Sequence, residues 1–246
     1  MDAAGVAVGA LLAGLALNAA STRPFDRATA MRIASAFLPA HALGNRWDFY
    51  YTRSKLGSDP LYPGVVAALR GCDAPLLDLG CGIGLLAHAL RADGQAMAYA
   101  GVDFDTGKIA VANTAAERAR LADVAFASCD LLRERPPHRG SVALLDVLQY
   151  LPDAVQERVL DDAIAMLEPG ARLAIRSGLH DDNARGRTTR MVDRLANAIG
   201  WMRSAPLRYP TRDWFERKLA DAGLAADFRP LHGRTPFNNW LIVATR

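Results

Sequence analysis

Short apolar runs alternate along the chain with longer segments in which apolar residues recur at helical spacing. The short runs predict buried strands at 76–79, 97–102, 124–130, 142–145 and 171–176. Helical spacing predicts helices after most of them, among them 106–121 and 153–167, with Asp105 and Asp153 as their N-cap residues. Strands that alternate with helices predict one parallel sheet with right-handed crossovers.

Both ends of the chain extend this pattern. Before the first strand, helices are predicted within 25–43 and over 62–70. After the last parallel strand, a helix at 213–222 precedes two strands, 226–231 and 240–245, that are joined through Gly233.

Three glycines at alternate positions, Gly80, Gly82 and Gly84, follow the first predicted strand. Such spacing indicates a tight turn in which a ligand comes close to bare backbone, at the N-terminus of the next helix. The dinucleotide fingerprint would need glycine where Leu85 stands, and the phosphate loop of nucleotide hydrolases would need a lysine that this turn lacks. Asp78 would repel a pyrophosphate and attract a cofactor that carries positive charge.

The sequence from Asp78 to Gly84, Asp-x-Gly-x-Gly-x-Gly, resembles the first motif of the class I S-adenosylmethionine-dependent methyltransferases. Asp103 follows the second strand, 19 residues beyond Gly84, and Gly-Val-Asp-Phe-Asp resembles the second motif. A carboxylate suits a ribose diol, since both hydroxyls can donate to it. Residues 146–152 resemble the fourth motif, and Glu-Pro-Gly-Ala at 168–171 resembles the Leu-x-Pro-Gly-Gly turn with alanine at its second glycine.

The resemblance covers residues 62–246 and implies an α/β fold. We expect a Rossmann-like, seven-stranded, mostly parallel sheet with an antiparallel last strand, helices on both faces and an N-terminal helical cap. It implies that Asp78 and the glycine backbone hold the methionine part of S-adenosylmethionine, Asp103 the ribose and Asp130 the adenine. The implied cofactor-binding residues are Asp78, Gly80, Cys81, Gly82, Gly84, Asp103, Phe104, Asp130, Leu131 and Asp146.

The resemblance says less about the residues that bind the methyl acceptor or act as a base. Many relatives carry histidine where this chain has Gln149, and a glutamine cannot take a proton, so any base must come from elsewhere. The candidates for a base or orienting group are His180, Tyr50 and Tyr51. The candidates for acceptor binding are Gln149, Tyr150, Arg53 and Arg176.

The predicted organisation has a helical cap at 1–61 and a methyltransferase domain at 62–246, with a lid-like insertion at 177–210. The insertion carries one amphipathic helix near 187–199, whose arginines form either a solvated face or a cationic lid for an anionic acceptor. In the cap, Trp47 and Phe49 are expected to anchor the segment to the core.

Composition narrows the functional classes. The chain of 246 residues is long enough for one α/β domain with additions. A net charge of +3 is too small and scattered to favour nucleic-acid binding. The three cysteines, Cys72, Cys81 and Cys129, fit neither a disulfide framework nor a zinc site, which agrees with a cytoplasmic location.

Residues 3–20 are rich in alanine and glycine and lack a basic segment before them, so a signal peptide is not expected. The run just reaches the length of a membrane span, but alanine and glycine supply little transfer energy. A packed or peripheral helix is therefore preferred, which leaves peripheral membrane contact open. The oligomeric state is left open as well.

We expect methyl transfer to a small-molecule acceptor, aromatic or carboxylate-bearing, free or held on an acyl carrier protein, in secondary metabolism. The Tyr-Tyr-Thr-Arg-Ser-Lys segment at 50–55 and the Gly-Arg-Thr-Pro-Phe-Asn-Asn segment at 233–239 are similar to methyltransferases encoded with bacterial aryl-polyene pigment pathways. Two alternatives stay open: a non-catalytic S-adenosylmethionine-binding relative, and an NAD(P)-dependent oxidoreductase.

Overall fold

The computed structural model describes residues 23–180, 208–233 and 238–246. The expectations for residues 3–20, and for the amphipathic helix near 187–199, lie outside the described residues.

A seven-stranded sheet forms the centre of the fold, in the order β3-β2-β1-β4-β5-β7-β6. Its strands are β1 (Leu76–Leu79), β2 (Tyr99–Asp103), β3 (Val124–Ser128), β4 (Ser141–Leu145), β5 (Arg172–Gly178), β6 (Ala225–Pro230) and β7 (Asn239–Thr245). The first five strands pair in parallel, and β7 runs antiparallel to both β5 and β6. The predicted Rossmann-like sheet with an antiparallel last strand is confirmed.

Seven α-helices surround this sheet in the described part of the chain. They are α1 (Arg27–Ala34), α2 (Trp47–Ser58), α3 (Leu61–Leu69), α4 (Leu85–Ala92), α5 (Thr106–Ala119), α6 (Asp153–Met166) and α7 (Arg212–Asp221), with short 3₁₀ helices at Ser35–Phe37 and Leu148–Tyr150. None of the helices in the described ranges is both long and apolar enough to cross a membrane.

The core has two layers because successive strand residues point to opposite faces of the sheet. Leu77 and Leu144 pack on one face in a cluster with residues of α6 and α7. Leu76 and Ala143 pack on the other face in a cluster with residues of α3 and α4. Burial on both faces explains why β1 and β4 are mostly apolar rather than alternating, with Asp78 and Ser141 as their polar residues.

A third apolar cluster joins the N-terminal segment to the domain. Phe37 and the fully buried Leu56 pack there with Leu85 of α4. The expectation that Trp47 and Phe49 anchor this segment is wrong for Trp47, whose side chain is 59% exposed, while Phe49 is partly buried. The aromatic segment forms helix α2, and its opposite face, through Leu56, supplies the anchor.

The two predicted helix caps have different outcomes. The Asp105 side chain accepts hydrogen bonds from the backbone N–H groups of Gly107 and Lys108, as predicted for the N-cap of α5. Asp153 is instead the first residue of α6, after the N-cap residue Pro152, and its carboxylate pairs with Arg208 at 2.6 Å. Proline directly before it takes the capping position, so the predicted cap is wrong.

Candidate cofactor and acceptor site

The glycine turn joins β1 to α4 in a left-handed backbone conformation, with φ of 78° at Gly80, 57° at Gly82 and 80° at Gly84. A Cβ added at Gly84 would lie 2.5 Å from Cζ of Phe126, and one added at Gly80 would clash with Val147. A Cβ at Gly82 would meet no atom of the described residues within 4 Å. Two glycines are therefore required by packing, while the third borders open space that a ligand can approach.

Asp78, on β1, is almost fully buried with a relative exposure of 2%. The hydroxyl of Tyr99 donates a hydrogen bond of 2.6 Å to its Oδ2, and its Oδ1 has no hydrogen-bond partner in the described part of the chain. Burial raises the pKa of Asp78 to about 7, against the lowering effect of the Tyr99 hydrogen bond. A buried acceptor without a partner is costly, so this site fits the ammonium group of a ligand.

Asp103, at the end of β2, binds the glycine turn. One carboxylate oxygen accepts the backbone N–H of Gly82 at 3.0 Å, and the other accepts that of Asp105 at 3.0 Å. A carboxylate offers about four lone-pair positions, so capacity for two ribose hydroxyls remains. Asp103 thus holds the turn in shape and stays able to bind a diol.

The adenine-side candidates lie at the ends of β2 and β3. Phe104 is 72% exposed, and its ring lies 6.0 Å from the ammonium group of Lys108. Oδ1 of Asp130 accepts the backbone N–H of Leu132 at 3.0 Å. The Leu131 side chain belongs to the core cluster. The flat exposed ring of Phe104 suits a stacked aromatic base, whereas Leu131 has its side chain in the core.

Asp146, after β4, is held in an unusual backbone conformation with a φ of 60°. Its backbone N–H donates to the carbonyl oxygen of Arg176 at 2.8 Å, and the Arg176 guanidinium forms an ion pair with its Oδ2. Asparagine and aspartate tolerate this conformation better than most residues. Two contacts to one β5 residue fix Asp146 at the edge of the sheet where the cofactor and acceptor are expected to meet.

A buried ion network connects this edge to helix α2. Arg176 is 3% exposed and bonds both carboxylate oxygens of Asp59 at 3.2 Å. The ammonium group of Lys55 lies 2.7 Å from Asp59 Oδ2 and 3.9 Å from Asp146 Oδ2. We call these four residues the α2–sheet ion network.

Each member with a shifted pKa is stabilised in its charged form. Burial opposes the ionisation of Asp59, but Arg176 and Lys55 more than offset it, so its pKa is lowered. Burial likewise opposes the charge on Arg176, yet Asp146 and Asp59 raise its pKa above the ordinary value. Asp59 and Arg176 are therefore each stabilised in the charged form by their partners in the network.

Sequence reasoning missed Lys55, Asp59, Tyr62 and Tyr99 as site residues. Burial raises the pKa of Tyr62 well above its ordinary value, and electrostatic interactions with Tyr51 and Asp78 raise it further. The Tyr62 hydroxyl therefore lies within electrostatic range of both residues. The spacing of Lys55 and Asp59 would have been informative had the aromatic segment been predicted as a helix, because residues four apart share a helix face.

Two acceptor-side candidates, Gln149 and Tyr150, lie in the 3₁₀ helix after β4. Gln149 is 5% exposed, and its Oε1 has no hydrogen-bond partner among the described residues. Tyr150 is partly buried. Gln149 thus supplies a buried acceptor three residues beyond Asp146.

The remaining candidates lie further out. Tyr50 and Tyr51 are half exposed on α2, and the Arg53 guanidinium lies 5.3 Å from the Tyr50 ring. His180 has an exposed side chain, and its backbone N–H donates to the carbonyl oxygen of Pro210. The structure brings Tyr51 near Lys55 but pairs Tyr50 with Arg53 on an exposed face. The catalytic and binding roles of all these residues stay predictions.

Comparison with known proteins finds a family model that matches part of the chain, and solved structures of similar fold. Residues 76–170 match the family model described as "Methyltransferase domain". The pyocyanin biosynthetic protein PhzM is similar in structure, with 19% identity, a TM-score of 0.61 and coverage of 87% of this chain and 61% of its own. An O-methyltransferase family protein from Burkholderia thailandensis has 22% identity, a TM-score of 0.56 and coverage of 79% and 60%.

Magnesium protoporphyrin IX methyltransferase from Synechocystis, solved with bound S-adenosylhomocysteine, has 16% identity and a TM-score of 0.60 over 89% of this chain and 95% of its own. No curated protein matches the sequence. The chain spans only about three fifths of the first two solved structures, and at these identities the likeness concerns the fold.

The family match covers the segment that carries Asp78, the glycine turn, Asp103 and Asp146. The unpartnered Asp78 oxygen, the open space at Gly82 and the diol-compatible Asp103 fit S-adenosylmethionine as the cofactor. Residues 76–170 are therefore similar to a methyltransferase domain, within a fold that the chain shares with solved methyltransferases.

Proposed function

We propose that this protein transfers a methyl group from S-adenosylmethionine to a small-molecule acceptor that is aromatic or carries a carboxylate. The observation that supports it most is the buried Oδ1 of Asp78, without a hydrogen-bond partner in the described ranges, beside a glycine turn with open space at Gly82. When bound, S-adenosylmethionine supplies a methyl group on positively charged sulfur, already activated for transfer.

The residues of this chain would contribute mainly binding and orientation. Asp78 would hold the ammonium group, Asp103 the ribose hydroxyls, and Phe104 with Asp130 the adenine. Gln149 and Asp146 would border the acceptor. Each role uses a group that the fold already holds in place by the contacts described above.

The charge states near Asp146 favour an acceptor that needs no strong base. Lys55, Arg176 and Tyr62 all have raised pKa values and stay protonated, and Gln149 cannot accept a proton. A carboxylate is already ionised at neutral pH, and a phenol with a pKa near about 10 needs only modest help. This supports a carboxylate or phenol as the group that is methylated.

Names of similar structures agree with an aromatic acceptor, since one is a pyocyanin biosynthetic protein and another a magnesium protoporphyrin IX methyltransferase. The aryl-polyene type, a role in secondary metabolism, an acyl carrier protein as the acceptor's carrier, the cytoplasmic location and membrane contact through residues 3–20 stay predictions.

Calorimetric titration with S-adenosylmethionine and S-adenosylhomocysteine tests the proposal. The wild type should bind both, and Asp103→Asn should weaken binding by roughly tenfold or more, as expected for a lost charge-assisted hydrogen bond. Asp105→Asn is the matched control, because asparagine is an equally good N-cap residue. A folded wild type that binds neither compound would contradict the proposal, and binding without turnover over an acceptor panel would favour the non-catalytic relative.

A further inference from the structure

Lys55 has hydrogen-bonding capacity that the described residues do not use. An ammonium group has three N–H donors. Its bond to Asp59 Oδ2 at 2.7 Å uses one, and Asp146 Oδ2, at 3.9 Å, lies beyond hydrogen-bond distance. The Lys55 side chain is 25% exposed, so part of it faces solvent.

Neighbouring charges keep this ammonium group ionised. Burial lowers the pKa of Lys55, but Asp146 and Asp59 more than offset that effect and raise it above the ordinary value. Lys55 is therefore a donor and a positive charge at every working pH rather than a proton acceptor.

Of the two cations in the α2–sheet ion network, Lys55 is more exposed than Arg176. The guanidinium is buried and contacts both Asp59 and Asp146, so both carboxylates already have a strong partner. Lys55 is the cation of the network that reaches the surface, with an exposure of 25% against 3% for Arg176. A ligand oxygen could bind it without breaking the Arg176 pairs.

Tyr62 connects the α2–sheet ion network with the cofactor carboxylate. Tyr62 interacts electrostatically with Asp78 and with Asp146, which makes the cofactor site and the ion network neighbours. Tyr51, one helical turn before Lys55, is half exposed and interacts with it electrostatically. An aromatic side chain beside an available ammonium group suits an aromatic molecule that ends in a charged oxygen.

We propose that Lys55 binds the negatively charged oxygen of the acceptor and so selects molecules with a carboxylate or a phenolate. This rests on the proposed methyltransferase function and assigns the residue that recognises its substrate class. Lys55 would also stabilise the ionised form of a phenol that has lost its proton to solvent water, so that no side chain has to act as the base.

Ligand-observed NMR of the protein saturated with S-adenosylhomocysteine tests this with three probes. Benzoate has a carboxylate as its acidic group, methyl 4-hydroxybenzoate has a phenol, and methyl benzoate, which has neither, is the reference. The wild type should bind at least one of the first two roughly tenfold or more tightly than methyl benzoate. The probe that is preferred distinguishes a carboxylate from a phenolate acceptor.

Substitutions at Lys55 test whether this residue causes the preference among the probes. In Lys55→Gln, the affinity for the preferred probe should fall to the affinity for methyl benzoate. Lys55→Arg keeps the charge and should retain part of the preference. Lys218→Gln is the control, because Lys218 pairs with Asp161 on the surface between α7 and α6. Unfolding curves and the affinity for S-adenosylhomocysteine show whether each variant is folded.

Equal affinity of the wild type for all three probes, or no measurable binding of either benzoate or methyl 4-hydroxybenzoate, would overturn the inference. So would an unchanged preference in folded Lys55→Gln. Failure of the wild type to bind S-adenosylhomocysteine is a different result, and it would contradict the proposed function itself.

Discussion

The Tyr99 hydroxyl donates a 2.6 Å hydrogen bond to Oδ2 of Asp78 across the neighbouring strands β2 and β1. This contact orients a carboxyl group whose other oxygen has no partner among the residues described. Because burial raises the pKa of Asp78 to about 7, its charge at neutral pH depends on whether a cation binds it. The same residue thereby links stability, pH and cofactor affinity.

Asp78 should make the ligand-free protein less stable as the pH rises. Its pKa of about 7 in the folded protein lies above the ordinary 3.8, so the folded state holds the proton more tightly. The stabilising contribution is fully present below the lower pKa and is lost as the pH rises through the upper one, by about 1.4 kcal/mol per pH unit at most.

Urea unfolding of the wild type and of Asp78→Asn measures this effect. Between about pH 5 and pH 8, the stability of the wild type relative to Asp78→Asn should fall, since the amide does not titrate. Asp161→Asn, a surface control, should follow the wild type. A constant difference between wild type and Asp78→Asn across this range would refute the prediction.

Cofactor binding should show the opposite pH dependence. The ammonium group of the ligand favours ionised Asp78, so affinity should rise from about pH 5.5 to pH 7, with release of up to one proton on binding. Calorimetry in two buffers with different ionisation enthalpies measures that proton. Asp78→Asn should bind weakly at all pH values and release none; pH-independent binding by the wild type would argue against a role for Asp78.

Two glycines of the same turn should respond differently to alanine. Gly84→Ala should destabilise the fold, because the added Cβ would lie 2.5 Å from Phe126 in addition to the unfavourable φ. Gly82→Ala carries only the backbone cost of about 1–2 kcal/mol. If the open space at Gly82 receives the cofactor, Gly82→Ala should bind S-adenosylhomocysteine more weakly than the wild type even at temperatures where the variant is fully folded.

Thermal unfolding and titration of both glycine variants decide this comparison. Full affinity in folded Gly82→Ala would show that the ligand lies elsewhere.

Arg176 should be important for stability because it neutralises two carboxylates at once. Arg176→Met would leave Asp59 and Asp146 with Lys55 alone, and loss of one partner from a buried ion network costs about 3–5 kcal/mol. Chemical denaturation measures it. Arg172→Met, on the same strand, is the control: Arg172 donates to the backbone carbonyls of Ala68 and Arg70, so a smaller loss is expected.

A double variant separates charge from packing in this network. Adding Asp59→Asn to Arg176→Met removes one uncompensated charge and should restore part of the stability. An additive loss in the double variant would contradict the coupling of Arg176 with Asp59.

Local sequence patterns were sufficient for the sheet and for the glycine turn. Strands β1 and β4 are mostly apolar because both faces of the sheet are covered, and this pattern can be recognised without knowing which residues pack against them. The cap at Asp105 could be predicted because an N-cap residue bonds backbone groups only two and three positions further along the chain. Cap prediction failed at Asp153, where Pro152 precedes it and a distant residue, Arg208, takes the carboxylate.

The α2–sheet ion network could not be read from the sequence. Its members come from α2, from the residue after β4 and from β5, with Arg176 lying 117 positions from Asp59. No periodicity connects such residues, because only the packing of α2 against the sheet edge brings their charges together. The same holds for Tyr99, which meets Asp78 through strand pairing.

The strands and helices, their order and the residues at the strand ends could be predicted from the sequence, because they depend on local propensity and on the burial of each element. Tertiary structure alone decided which charges meet, which carboxylates are paired and which donors remain available. The charge state of Asp78 and the accessibility of Lys55 depend on burial and on neighbours distant in the chain, and electrostatic energies in a folded interior depend on those distances.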